Sequence, residues 1–286
     1  MCIRDRFTVC GGCHIDRQLR FESPPLPGRT APAIQSERVG GVATNIAVQL
    51  AALNAGTRLV SVQPPQSHDA MKARLAEAGV DPFLLPLAGE PPSYTALLGP
   101  DGELLTGAAA MALYDSVSAG LLAPALAADA DAVIWDANFP QAAITAALGA
   151  MPPGRRLFAV GTSVAKVDRL AAVLPRFDAL VVNRDEAASL VAAGDVAEMA
   201  PGLAAMAGGA TVLVSDGGDV AALATADAVV TARPPAVELV NANGAGDVMA
   251  ARLFYDLVKD GAMAAQDRLE RALAAGAAYA AGRDAV

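Results

Sequence analysis

The chain has 286 residues, 54% hydrophobic and 18% charged, long enough for one large α/β domain with a small appendage. Its net charge of −9, with no Lys/Arg cluster, argues against a nucleic-acid partner, because polyanion binding takes many cations set against phosphates. No apolar run approaches the about 20 residues of a membrane span and the start lacks the apolar stretch of a signal peptide, so no membrane partner and a cytoplasmic location are expected.

Residues 1–6 read as a leader before a strand over 7–10. Cys10-Gly-Gly-Cys13 is a CxxC with His14 beside it. A structural zinc site takes four ligands, and no second CxxC follows. A redox pair of this type opens a helix, and the segment after Cys13 lacks helical spacing. The motif therefore reads as a glycine turn with incidental thiols. Residues 14–39 contain Pro24-Pro25 and Pro27-Gly28 among short extended pieces. The spacing then predicts a helix over 45–53, stopped by Asn54-Ala55-Gly56, a strand over 57–62 and a helix over 68–78. Residues 93–106 read as two strands around a Pro100-Asp101-Gly102 turn. Together, 14–39 and 93–106 are expected to form a small sheet projecting as a lid.

Further on, strand and helix signals alternate: strand 132–135, helix 141–149, strand 157–160, helix 163–174, strand 179–182, a helix from about 185, and strand 211–214. A strand over 237–240 leads into a helix after Gly244, and a last helix covers 267–281. Trp135, ending an apolar strand, reads as core, and His68 as a surface residue. The alternation predicts a mainly parallel sheet covered by helices, a single α/β domain over 1–286.

Residues 241–250, NANGAGDVMA, place Gly244, Ala245 and Gly246 directly before Asp247. Behind them Met249, Leu253 and Leu257 form one i, i+4 row, and Ala250, Phe254 and Val258 a second. The stretch is thus a strand-to-helix turn at a helix N-terminus. Unpaired N–H groups and partial positive charge make such a turn an anion cradle, with almost no side chain in the way. The chemistry that fits is phosphoryl transfer: the amides of 244–246 hold developing charge and Asp247 takes the proton of an attacking hydroxyl. The plain alternative is an ordinary helix-start acid after a glycine turn. A dinucleotide-binding dehydrogenase is disfavoured, because the full GxGxxG is absent.

The chain resembles the PfkB (ribokinase-like) family of sugar and nucleoside kinases. GGVATNIAVQLAAL, residues 40–53, looks like the family's N-terminal signature and NANGAGD its C-terminal one. Asn183-Arg184-Asp185-Glu186 matches its NxxE element, and Ser215-Asp216-Gly217 resembles its nucleotide-side turn. The resemblance implies a Rossmann-like α/β/α core with a mainly parallel sheet and a small β lid. It implies Asp247 as base and Gly244, Ala245 and Gly246 as anion hole. Asp16, Gly40, Gly41, Asn45 and Lys166 would contact the acceptor. Asn183, Glu186, Ser215, Gly217 and Asn243 would serve the nucleotide, with Asn183 and Glu186 organising Mg²⁺ largely through water. ATP and Mg²⁺ are the cofactors implied, with a monovalent cation left open, and a homodimer through the lid is expected. Read without the resemblance, Asp16 is a turn acid, Gly40-Gly41 a loop, Asn45 a helix cap and Glu186 a solvated first-turn acid.

Within that family GGVATNIA, SYTALLGPDGEL, Asp136-Ala137-Asn138, Ser163-Val164-Ala165-Lys166 and NANGAGD are most similar to pseudouridine kinases, which implies transfer of the ATP γ-phosphoryl group to a nucleoside 5′-hydroxyl. Two stretches depart from the family pattern: 63–68, where a G-x-D turn is usual, and 215–220, which lacks a final glycine. Another sugar kinase of the family, or a kinase-like protein that binds a nucleoside without turnover, are the alternatives.

Overall fold

The computed structural model describes residues 6–126, 129–240 and 242–283. Strand β1 (Arg6–Cys10) is followed by the lid hairpin β2 (His14–Phe21) and β3 (Ala33–Gly40), then helix α1 (Val42–Ala52). Next come β4 (Gly56–Gln63), α2 (Pro65–Glu77), β5 (Asp81–Pro86), the second lid hairpin β6 (Ser93–Leu98) and β7 (Leu104–Ala110), and a single helical turn, α3 (Ala112–Asp115). The second half runs β8 (Ala132–Asp136), α4 (Gln141–Ala150), β9 (Arg156–Val160), β10 (Ala179–Asn183), α5 (Arg184–Leu190) and α6 (Val196–Met206). It closes with β11 (Thr211–Ser215), β12 (Ala221–Ala224), β13 (Val229–Ala232), α7 (Ala245–Lys259) and α8 (Ala265–Ala280).

Among the described residues nine strands form one sheet in the order β13-β12-β11-β10-β9-β8-β1-β4-β5, antiparallel at the β11-β12-β13 end and parallel elsewhere. Its central strands are apolar on both faces because helices cover both. Phe7 and Val9 of β1 and Ile134 of β8 point into a core with Ile46 of α1, Phe254 of α7 and Leu269 of α8. Cys10 and Trp135 point the other way, toward Ile144 of α4 and Leu203 of α6. Phe158 stacks on Phe254 with ring centroids 4.9 Å apart. The expected three-layer α/β/α core with a mainly parallel sheet is therefore present.

The segments expected to form a lid make a separate small sheet, β3-β2-β6-β7, in which β2 pairs antiparallel with β3 and parallel with β6. Its second hairpin turns at Gly99–Glu103, where Gly99 N–H donates to the Glu103 carbonyl (2.8 Å) and Glu103 N–H to Asp101 Oδ1 (3.0 Å). Strand β7 runs to Ala110, beyond the expected end at 106.

Several local expectations are corrected. The helix expected at 45 starts at Val42, and the one expected at 68 starts at Pro65, whose fixed φ and missing N–H suit a first helical position. The stretch 63–68 is thus a strand end and helix start. The helix expected over 163–174 is a 3-10 run over Val167–Arg176, where Pro175 withholds the N–H an α-helical last turn uses. The strand expected over 237–240 does not form. Pro234 and Pro235 break the path from β13, and Val240 N–H donates instead to the Ala280 carbonyl at 2.8 Å. Trp135 is fully buried, as expected of core. His68 is half-buried rather than on the surface, its ring nitrogen 2.8 Å from the Leu84 carbonyl.

Candidate active site

The chain leaves β1 to one side of the sheet through β4 and returns on the other through β8. In open α/β sheets such a reversal opens a crevice beyond the carboxyl ends of the strands. The carboxyl ends of β1, β8, β9, β10 and β11 lead to Gly12, Asp136, Gly161, Asn183 and Ser215, and most of the residues singled out in the sequence collect there.

Asp247 lies in the first turn of α7, and Gly244 is that helix's N-cap with φ 95°, a conformation glycine adopts without penalty. A side chain on Gly244 would come within 3.2 Å of the Tyr279 hydroxyl, whereas one on Gly246 would meet nothing within 4 Å. The turn is therefore backed by Tyr279 and open in front of Gly246. Ala245 N–H donates to the Ala242 carbonyl at 3.2 Å. Asn241 lies outside the described residues. Asn45 Nδ2, from α1, donates to Asp247 Oδ2 at 2.7 Å and leaves Oδ1 for another partner. The sequence reading of Asn45 as a helix cap is corrected: Gly41 is the N-cap, with φ 106°, and a side chain there would strike the Gly12 carbonyl oxygen at 2.5 Å.

Asp16 is a buried residue within β2, not a turn acid. His14 Nε2 stands 3.2 Å from its Oδ1, and Arg38 Nε 3.5 Å from its Oδ2. Gly40 ends strand β3, where an added Cβ would lie 2.3 Å from Asp16 Cγ, so this carboxylate occupies the space a side chain would need. Arg38 also reaches across to Tyr279, donating from Nη1 to Oη at 3.3 Å. On the opposite side Lys166 Nζ donates to Asn138 Oδ1 at 2.8 Å and stands 5.8 Å above the Tyr114 ring. Burial lowers the Lys166 pKa. His14, Arg38, Tyr114 and Tyr279 went unassigned in the sequence because no local pattern marks them; only the packing of strands far apart in sequence brings them in.

Beyond β10, Asn183 and Glu186 form a reciprocal cap on α5: Asn183 Oδ1 accepts from Glu186 N–H (2.9 Å) and Glu186 Oε2 from Asn183 N–H (3.0 Å). Glu186 is buried, not solvated, and burial raises its pKa. Gly161 lets it pass, since a Cβ there would fall 2.1 Å from Oε2. Asn183 and Ser215 are paired neighbours at the ends of β10 and β11, and Gly217 and Gly218 open onto free space. Asn243 is exposed on the loop before α7. Among the described residues no cluster of three or more His, Cys, Asp or Glu could cage a metal. Mg²⁺ commonly keeps several waters and uses one or two carboxylates plus substrate phosphates, which fits a lone Glu186 beside Asn183. Cys10 and Cys13 are buried, and burial pushes the Cys13 thiol up to about 12, so at neutral pH it carries no thiolate for redox work.

Burial raises the Asp247 carboxyl from the usual carboxylate range to about 7, reinforced by the charges of Asp136, Glu186 and Asp16 and opposed by the Asn45 hydrogen bond. A base works only when deprotonated. With Asp247 as the base that the sequence reading expects, turnover is expected to be low at pH 5.5 and to rise through a single ionisation near pH 7. A flat profile from pH 5.5 to 8 in steady-state assays would remove Asp247 from the role.

A family model described as pfkB family carbohydrate kinase matches residues 7–282. Among solved structures, a carbohydrate kinase from Agrobacterium tumefaciens is 28% identical over 96% of this chain and 90% of its own, with a TM-score of 0.83. A ribokinase from Thermotoga maritima is 17% identical over 96% of this chain and 92% of its own (TM-score 0.77). Phosphofructokinase-2 from Escherichia coli, solved in complex with fructose-6-phosphate, is 17% identical over 99% and 95% (TM-score 0.80). At that identity the last two are similar in fold alone. No curated protein matches the chain.

Proposed function

Because this chain belongs to the pfkB family of carbohydrate kinases, phosphotransferases that use ATP and an alcohol acceptor, we propose that its acceptor is a nucleoside, pseudouridine, phosphorylated on the 5′-hydroxyl. The observation that carries the reading is Asp247: a carboxyl pushed up to about 7, held by Asn45 through one oxygen, beside the open Gly246 turn at the start of α7. Asp247 Oδ1 takes the hydroxyl proton, while the first-turn amides and dipole of α7 stabilise charge building on the phosphoryl oxygens. Asp16, oriented by His14 and Arg38, accepts from sugar hydroxyls. The Lys166 ammonium, held by Asn138 Oδ1 through one of its three N–H groups, offers donors suited to the carbonyl edge of a uracil ring. ATP supplies the phosphoryl group; Asn183 and Glu186 would hold Mg²⁺, which would offset the phosphate charge, and Ser215 and Gly217 would line the nucleotide side.

The test is an ATP-coupled assay with pseudouridine, uridine, ribose and fructose. Pseudouridine is expected to give the highest kcat/KM, with a 5′-monophosphate product. A higher value for ribose or fructose replaces the nucleoside by a sugar. Binding of pseudouridine by calorimetry without any phosphorylated product would favour a kinase-like sensor instead.

The lid leaves Ile34, Leu104 and Leu105 more than half exposed, and β7 is an exposed edge strand. Such edges invite pairing, which supports a homodimer through the lids. Light scattering is expected to give twice the chain mass at micromolar protein; a monomer mass contradicts it. No described helix is long and apolar enough to cross a membrane.

A further inference from the structure

Asp136 ends β8 and is completely buried, yet among the described residues it forms no ion pair. Its carboxylate is instead surrounded by N–H donors from three parts of the chain. Oδ2 accepts from Gly12 N–H (2.8 Å), Ala43 N–H (3.2 Å) and Asn138 Nδ2 (2.8 Å), and Oδ1 from Asn138 N–H (2.8 Å). The backbone leaves room for this group on one side: a Cβ on Gly11 would sit 2.1 Å from Asp136 Cγ. Burying an unpaired charge is costly unless hydrogen bonds compensate it, and the four donors match the roughly four acceptor sites of one carboxylate, drawn from three separate segments.

Each donor belongs to an arm of the acceptor pocket. Ala43 is in the first turn of α1, and two residues later that helix presents Asn45 to Asp247. Gly12 is the turn into β2, which carries His14 and Asp16, and its carbonyl also accepts from Thr44 Oγ1 of α1 at 2.9 Å. Asn138 holds Lys166 through its other amide atom. Arg169 fastens the same segment, donating from Nη1 to the Asn138 carbonyl at 2.6 Å.

We propose that Asp136 is the positioning residue of the acceptor pocket, its carboxylate setting α1 and Asn45 on one side against Asn138 and Lys166 on the other. It touches neither the acceptor nor the transferred group. The proposal rests on the nucleoside-kinase reading above and adds to it a residue that acts through others. Burial raises the Asp136 pKa and its hydrogen bonds to Gly12, Asn138 and Ala43 oppose that, while its charge raises the Asp247 pKa, which supplies a signature that packing alone would not.

The experiment compares the parent with Asp136→Asn, using whichever of pseudouridine, uridine, ribose and fructose the parent turns over fastest. The amide keeps the volume but turns a donor toward the N–H groups. The acceptor KM is expected to rise at least tenfold and kcat to fall ten- to a hundredfold, with the ATP KM within threefold. The acid limb of kcat is expected to move below pH 7, since one negative charge near Asp247 is gone. A folded Asp136→Asn enzyme with parent KM and an unmoved acid limb overturns the proposal. If that variant does not fold, Asn138→Ala, which removes the Lys166 acceptor and one of the four donors to Asp136 while keeping the backbone N–H, is measured instead. A tenfold rise in acceptor KM is expected, and an unchanged KM overturns the proposal. A parent inactive on all four acceptors refutes the nucleoside reading and this inference together, whereas an active parent with unperturbed variants refutes this inference alone.

Discussion

Asp247→Asn is expected to lower kcat by about 10²–10⁴-fold, the usual worth of a positioned base, while KM for ATP and acceptor stays within a few-fold. Asn keeps the shape and can still accept the Asn45 hydrogen bond seen at 2.7 Å, so the loss falls on proton transfer. The same substitution has an opposite effect on stability. The folded carboxyl titrates near 7, above its ordinary value. The folded state therefore holds its proton more tightly than the unfolded chain, and stability declines as pH rises between the two values. At pH 8 the parent carries that full cost and the Asn variant does not. Thermal melts at pH 8 are expected to place the variant a few degrees above the parent, with the gap closing toward pH 4. A variant with parent turnover would rule out Asp247 as the base. One that is less stable at pH 8 would rule out the buried charge as the source of its raised pKa.

Gly40→Ala is expected to reduce kcat/KM for the acceptor by about 10²-fold, the scale of an ångström-sized misplacement of a binding group. The added methyl would lie 2.3 Å from Asp16 Cγ, so the carboxylate must swing off His14 and Arg38. Gly40 has an ordinary strand conformation, so alanine strains no backbone, but displacing the buried Asp16 carboxylate is expected to lower the melting temperature by a few degrees. The ATP KM is expected to hold, because Ser215, Gly217 and Glu186 lie beyond other strands. An unchanged acceptor KM, measured with ATP saturating, would show that Asp16 does not read the acceptor.

The split between what was legible and what was not follows the range of the forces involved. The apolar strands 7–10, 132–135, 179–182 and 211–214 could be read because both their faces are buried and the composition says so at each residue. The antiparallel pair β12 and β13, with its short AALA and VVTA runs, carries no comparable signal and forms because β11 offers an edge. Strand β5 and helix α6 were likewise not anticipated. The supposed strand at 237–240 failed for a matching reason: its apolar side chains suggest pairing, but two prolines before it and a helix end beside it capture its backbone.

The α/β alternation, the hairpins of the small sheet and the Gly244–Asp247 turn could be read from the chain alone, since periodicity, glycine placement and a helix-start acid act over a few neighbouring residues. It took the folded arrangement to bring Asn45 onto Asp247 across 202 positions, to join Asp16 to Tyr279 through Arg38, and to tie three segments together at Asp136. Those contacts depend on burial and on the order of strands in the sheet. A hydrogen bond's partner is chosen by what the fold brings within about 3 Å, and no local stretch of sequence encodes that distance.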